Sequence, residues 1–144
     1  MNNAMNSLTI KQEAPSADDY HRLREAVSWH ALSNERAERG LKNSLYAISI
    51  YDGEQLVAMG RIVGDGHVYF YLQDLMVLPD YQHHGLGSKI MDYLMQYIDE
   101  HAPMKTGAYV GLMMAPGLHD FYENFGFKDL PKDSPAMGMW RNGH

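Results

Sequence analysis

The chain has 144 residues, 45% of them hydrophobic and 21% charged, which suits one folded domain and excludes a disordered or fibrous chain. A formal net charge of −6 argues against a general nucleic-acid binder, whose surface has to be basic. With no cysteine, disulfides, thiolate metal sites and a cysteine acyl-enzyme are excluded.

Residues 1–7 read as a polar tail, and residues 8–10 as a short strand closed by Pro15. Ser16 is placed to cap a helix over 17–28, and Ser33 a second over 34–41 that ends near Gly40. Residues 45–51, rich in Ile and Tyr, form a strand. Asp52-Gly53 turns it back into a strand over 55–63, and Gly64-Asp65-Gly66 makes the next turn. Residues 68–78 are almost continuously apolar, as at the centre of a sheet covered on both faces, interrupted only by Gln73 and Asp74. Such adjacent polar residues need partners or sit at a functional opening.

Leu86, Ile90, Leu94, Tyr97 and Ile98 share one face of a helix over 85–100, which Pro103 stops. A strand follows over 108–115, then Pro116-Gly117 and a short helix over 118–124. An extended piece from Gly126-Phe127, a proline-bounded loop over 128–135 and a strand over 136–140 complete the chain. The order gives an α/β single domain: a mixed sheet of about seven strands flanked by about four helices. Residues 1–30 lack the basic start and apolar run of a signal peptide, and no segment is apolar enough to cross a membrane. A cytoplasmic protein without a membrane partner is expected.

The most informative stretch is 72–88, where a buried strand breaks at Pro79 and a glycine-bearing turn opens the long helix. Backbone N–H groups at a helix start lack intrahelical acceptors, and the peptide dipoles place about half a positive charge there. Gly85 and Gly87 let a phosphate approach the main chain closely. The adjacent His83 and His84 lack a carboxylate at ligand spacing, so no metal site is expected.

Gln82-His83-His84-Gly85-Leu86-Gly87 resembles the Gln/Arg-x-x-Gly-x-Gly/Ala signature of the GNAT acetyltransferase superfamily. Asp74-Leu75-Met76-Val77 before Pro79 resembles the family's fourth strand, and 121–127 its late Phe-Tyr-x-x-x-Gly-Phe segment. The resemblance implies a splayed sheet that admits acetyl-CoA. The main chain of Gln82, His83, His84, Gly85, Leu86, Gly87 and Ser88 would then hold the pyrophosphate, and the strand edge at Met76 and Val77 the pantetheine amides.

It implies Tyr122 as the group that protonates the departing thiolate. Asp74 is a candidate base, with His30 and His119 as alternatives. The resemblance also places Trp29, His30 and Tyr46 near the segment that in this family lines the acceptor pocket. The chain departs from patterns found in the family at three places. His83 and His84 replace the family's usual Arg or Lys, Gln73 replaces the first carboxylate of a Glu-Asp pair, and Pro116-Gly117 replaces an Asn after the fifth strand. The function implied is acetyl transfer to a primary amine by direct attack in a ternary complex, on a small-molecule acceptor, in a homodimer by family habit. A non-catalytic acyl-CoA sensor is the competing class.

Overall fold

The computed structural model describes residues 7–139 and 141. They form two compact units, one ending at Met113 and the other beginning at Met114. Five strands lie in one sheet of the first unit: β1 (Thr9–Lys11), β2 (Tyr46–Asp52), β3 (Gln55–Gly64), β4 (Tyr69–Val77) and β5 (Tyr109–Leu112). Their spatial order is their chain order. The first three pairings are antiparallel and β4–β5 is parallel. A parallel pair needs a crossover, here the long helix between β4 and β5. The four helices are α1 (Ala17–Ala26), α2 (Asn34–Lys42), α3 (Leu86–His101) and α4 (His119–Glu123). Among the described residues no helix is long and apolar enough to cross a membrane.

Side chains set the helix starts. Ser16 Oγ accepts the Asp19 N–H at 3.1 Å and Ser33 Oγ the Arg36 N–H at 3.2 Å, each satisfying a donor that has no helical acceptor. α1 ends two residues before the expected Ser28, which has a φ of +62°. The Trp29 N–H reaches back to the Arg24 carbonyl at 2.9 Å and that of Ser28 to Glu25 at 3.1 Å. This pair of bonds closes a helix around a left-handed residue. Gly40 lies inside α2 and does not end it.

Alternation puts neighbouring β3 residues on opposite faces. Met59 and Met76 join Tyr20, Leu23, Ala37, Leu41 and Leu56 in a core beneath α1 and α2. On the other face α3 lies close to Gly60. A Cβ at Gly60 would sit 2.6 Å from Ile90 Cγ2 and 3.3 Å from Leu94 Cδ1. Gly60→Ala is therefore expected to cost about 1–3 kcal/mol by overpacking, read as a lower urea midpoint with an unchanged slope.

Two irregularities shape β4. Between the pairs Arg61↔Gln73 and Met59↔Met76, Asp74 and Leu75 stand opposite Gly60 alone. This is a β-bulge, with Asp74 at a φ of +58°. The parallel pairing with β5 runs only from Tyr69↔Tyr109 to Leu72↔Leu112, so residues 73–77 have no strand beside them on that side.

The expected count of about seven strands is corrected to one sheet of five among the described residues. β5 has four residues where 108–115 was expected. Gly126 takes a φ of +93°, and residues 126–139 join no ladder. Residues 136–139 are exposed and non-strand, and Trp140 lies outside the described residues. Alternating Met137 and Met139 can supply a strand face, but a strand also needs an edge to pair with.

Candidate functional site

The turn before α3 is fixed by side chains from both directions. After Pro79 the chain makes one tight turn, Pro79–Tyr81, and the Tyr81 hydroxyl donates to the Asp52 carboxylate. Gln82 Nε2 donates to the Val77 carbonyl at 3.0 Å. His83 has a φ of +65° and Gly85 of +83°. Both residues take the left-handed conformation, and Gly85 does so without the cost of a Cβ. Gly85 is the N-cap of α3 and contributes no capping side chain, so the N–H groups of Leu86, Gly87 and Ser88 have no intrahelical acceptor. The first turn contains no acid, and Lys89 occupies it instead. A cation there opposes the helix dipole and suits a helix start that receives an anion. His83 and His84 are exposed.

The edge of β4 leads to this turn. The Leu78 N–H bonds the Val57 carbonyl of β3 at 2.8 Å. By strand alternation the N–H and C=O of Val77 point to the other edge, where β5 is absent. Met76 is buried and pairs across β3 with Met59.

Asp74 sits at the bulge, 8% exposed. Its Oδ2 accepts from Arg61 Nε and from the Tyr20 hydroxyl, each at 2.7 Å, and its Oδ1 lies 3.5 Å from Arg24 Nη1. Burial, with Asp74 beside it, pushes the Tyr20 hydroxyl up to about 12, so it keeps its proton and donates. Expected as a candidate base, Asp74 thus has both oxygens engaged by donors. Arg24 also binds the His30 carbonyl through Nε and Nη2, at 2.9 and 2.7 Å. Its guanidinium lies 5.6 Å from the Trp29 ring centroid. Trp29 and His30 are held together by Arg24, and through it to β4.

Tyr46 is elsewhere. It stacks on Tyr97 of α3 at 5.0 Å, and Tyr97 stacks on His101 at 3.8 Å. The structure does not bring Tyr46 beside Trp29 and His30, because α3 covers the sheet face opposite α1. Sequence reading missed Tyr20, Arg24, Arg61 and Lys89. A charged residue on the apolar stripe of α1, another within the apolar run of β3, and a basic first turn were the available signals.

In the second unit, the segment 121–127 owes its pattern to the end of α4. Gly126, left-handed, sends its N–H to Glu123 O at 3.0 Å, and the Phe127 N–H returns to Tyr122 O at 3.3 Å. That closure sets the Phe127 ring 6.2 Å from Tyr122, while Phe121 meets Tyr122 edge-on at 5.0 Å. Tyr122 is 7% exposed, and its hydroxyl makes no hydrogen bond among the described residues. Burial pushes that hydroxyl up to about 12.

His119, an alternative base by sequence, has Nδ1 3.5 Å from Asp120 and Nε2 3.1 Å from Asp129. Hydrogen bonds to Asp120 and Asp129 raise its pKa above the ordinary 6.5. Because the folded value is the higher one, this cluster's contribution to stability is complete below 6.5 and is lost as pH rises through the raised value. An NMR titration of His119 is expected to give a midpoint above 6.5, and Asp129→Asn to bring it back toward 6.5.

Residues 43–129 match the acetyltransferase (GNAT) domain family. An uncharacterized N-acetyltransferase ycf52-like protein of Prochlorococcus marinus is 25% identical over 128 residues, which are 86% of this chain and 69% of that protein. A probable acetyltransferase of methicillin-resistant Staphylococcus aureus superposes with a TM-score of 0.86 at 33% identity, over 92% of this chain and 98% of that one. A GNAT family protein of Streptococcus pneumoniae gives a TM-score of 0.72 at 31% identity, over 95% and 99%. With the uncapped helix start, the bulged β4 and the shortened β5 already in place, the chain belongs to the GNAT acetyltransferase family and is an N-acetyltransferase.

Proposed function

We propose that the chain moves the acetyl group of acetyl-CoA to a primary amine of a small acceptor by direct attack in a ternary complex. The observation that carries this reading is an uncapped start of α3, free of acids, at the end of the unpaired β4 edge. A diphosphate fits the first and a chain of amides fits the second. In this reading the main chain from Gln82 to Ser88 receives the pyrophosphate, with Lys89 adding charge, and Val77 pairs with a pantetheine amide. Gln82 gives up the Val77 carbonyl or shares it.

Acetyl-CoA, when bound, supplies an activated acyl thioester. The acceptor nitrogen forms the new C–N bond with the carbonyl carbon as the C–S bond breaks, its electron pair passing to sulfur. The nitrogen loses a proton to solvent, and the Tyr122 hydroxyl donates one to the sulfur and takes one back from solvent. Asp74, fixed by Arg24, Arg61 and Tyr20, positions the bulge rather than abstracting a proton. In this reading the two compact units make up one acetyltransferase domain, which is supported by a family match over residues 43–129 that includes Met113 and Met114.

Calorimetry with CoA and a thiol-release assay across an amine panel test the proposal. Saturable binding and amine-dependent thiol release are expected. No binding at about 1 mM, where even a weak ligand of about −4 kcal/mol would register, overturns it.

A further inference from the structure

One sheet face beside the end of β5 carries side chains that acetyl transfer has not used. Phe70 and Leu72 of β4 are buried, so Tyr69, Tyr71 and Gln73 share the opposite face. Tyr109 and Gly111 of β5 stand opposite Tyr69 and Tyr71, and Arg61 of β3 stands opposite Gln73. Tyr109 meets both β4 tyrosines edge-on, with centroids 6.3 Å from Tyr69 and 6.1 Å from Tyr71. A Cβ at Gly111 would come within 2.6 Å of the Tyr109 ring. The glycine lets that ring lie forward along β5, toward the point where pairing with β4 stops. The three rings are 37–52% exposed and form an open aromatic floor.

Arg61 marks the charged end of this floor. Its Nε donates to Asp74 and its Nη1 to Gly40 O and Ser44 Oγ, at 2.7, 3.0 and 3.2 Å. A guanidinium has five N–H donors; the two on Arg61 Nη2 have no acceptor among the described residues. The Arg61 side chain is 15% exposed, so a ligand can reach it. Gln73, directly across the ladder and partly buried, also makes no side-chain hydrogen bond among the described residues. Arg24 and Arg61 face the single carboxylate of Asp74. The carbonyl end of α2 offsets only about half a charge of the surplus.

Resting on the acetyl-transfer reading, we infer that this face receives an acceptor whose amine is accompanied by a carboxylate, an amino-acid-like molecule. Arg61 Nη2 and the Gln73 amide donate to the carboxylate, and the apolar body lies on Tyr71 and Tyr109. Gln73 is the first β4 residue past the last pair with β5, so the neighbouring amine is held where that pairing stops. A polyamine is the poorer fit, since its second cation would meet a guanidinium surplus.

The test follows thiol release from acetyl-CoA with matched amines: phenylalanine against phenethylamine, and β-alanine against ethylamine. The carboxylate-bearing member is expected to show a KM lower by at least about tenfold, the scale of hydrogen bonds to a charged group. Gln73→Glu is expected to abolish that preference while CoA binding by calorimetry is retained. Tyr71→Ala is expected to raise KM for phenylalanine more than for β-alanine. Thiol release that is indifferent to the carboxylate, or favours its absence, overturns this inference and leaves acetyl transfer standing. Absence of both CoA binding and thiol release overturns the two together.

Discussion

Replacing Tyr122 by phenylalanine is expected to lower turnover about a hundredfold, the lower range for a positioned acid, with CoA affinity unchanged. Burial holds the Tyr122 hydroxyl up to about 12, well above its ordinary 10.0, so it remains a proton donor throughout the neutral range. The ring is seated against Phe121 and Phe127, and phenylalanine keeps that seat, so only the O–H is removed. The pH profile adds a second check: deprotonation of Tyr122 itself should not depress turnover until pH approaches 12. Unchanged turnover in the variant would remove Tyr122 from the chemistry.

Asp74→Asn is expected to produce the largest loss of stability. It leaves the guanidiniums of Arg24 and Arg61 without their shared carboxylate, and the paired side chains are only 7–15% exposed. Breaking a buried pair from one side costs about 3–5 kcal/mol, or roughly 10–20 °C in Tm for a chain of this size. Coupling to Arg61 makes the claim specific. Asp74→Asn with Arg61→Met should lose less than the sum of the two single variants, because the second change removes one of the stranded charges. Strict additivity in a thermal double-mutant cycle would show that the ion pair carries little of the effect. His30 provides a local reporter: with Arg24 less firmly placed, the backbone after α1 should exchange amide protons faster.

Most of the first unit was legible because its signals are local. Ser16 and Ser33 cap where expected, and the apolar spacing of α3 predicted its burial, with Met91 taking the place given to Tyr97. The turn that opens α3 was readable because glycine and the helix start are neighbours in sequence. The Asp74 network was not, because Arg24 and Asp74 are 50 positions apart and no short-range rule pairs them. Tyr46 shows a related limit: strand alternation tells which residues share a face, but not which helix will cover it. The last strands failed for another reason. A β-segment is defined by a neighbour's hydrogen bonds, and the residues after Gly126 offered apolar alternation without one.

The extra residue in β4 also reverses the parity of the strand. Before it, odd-numbered side chains share the face of Arg61; after it, the even-numbered Met76 joins Met59 on that face. Excising a single residue at 74 or 75 would therefore leave a longer, more regular ladder and a worse protein. Met76 would stay opposite Met59, but the one residue left opposite Gly60 would face α3, so the carboxylate that Arg24 and Arg61 share would be removed or turned away from them. Length variation among relatives should accordingly be tolerated in the β2–β3 and β3–β4 turns and shunned at this one position.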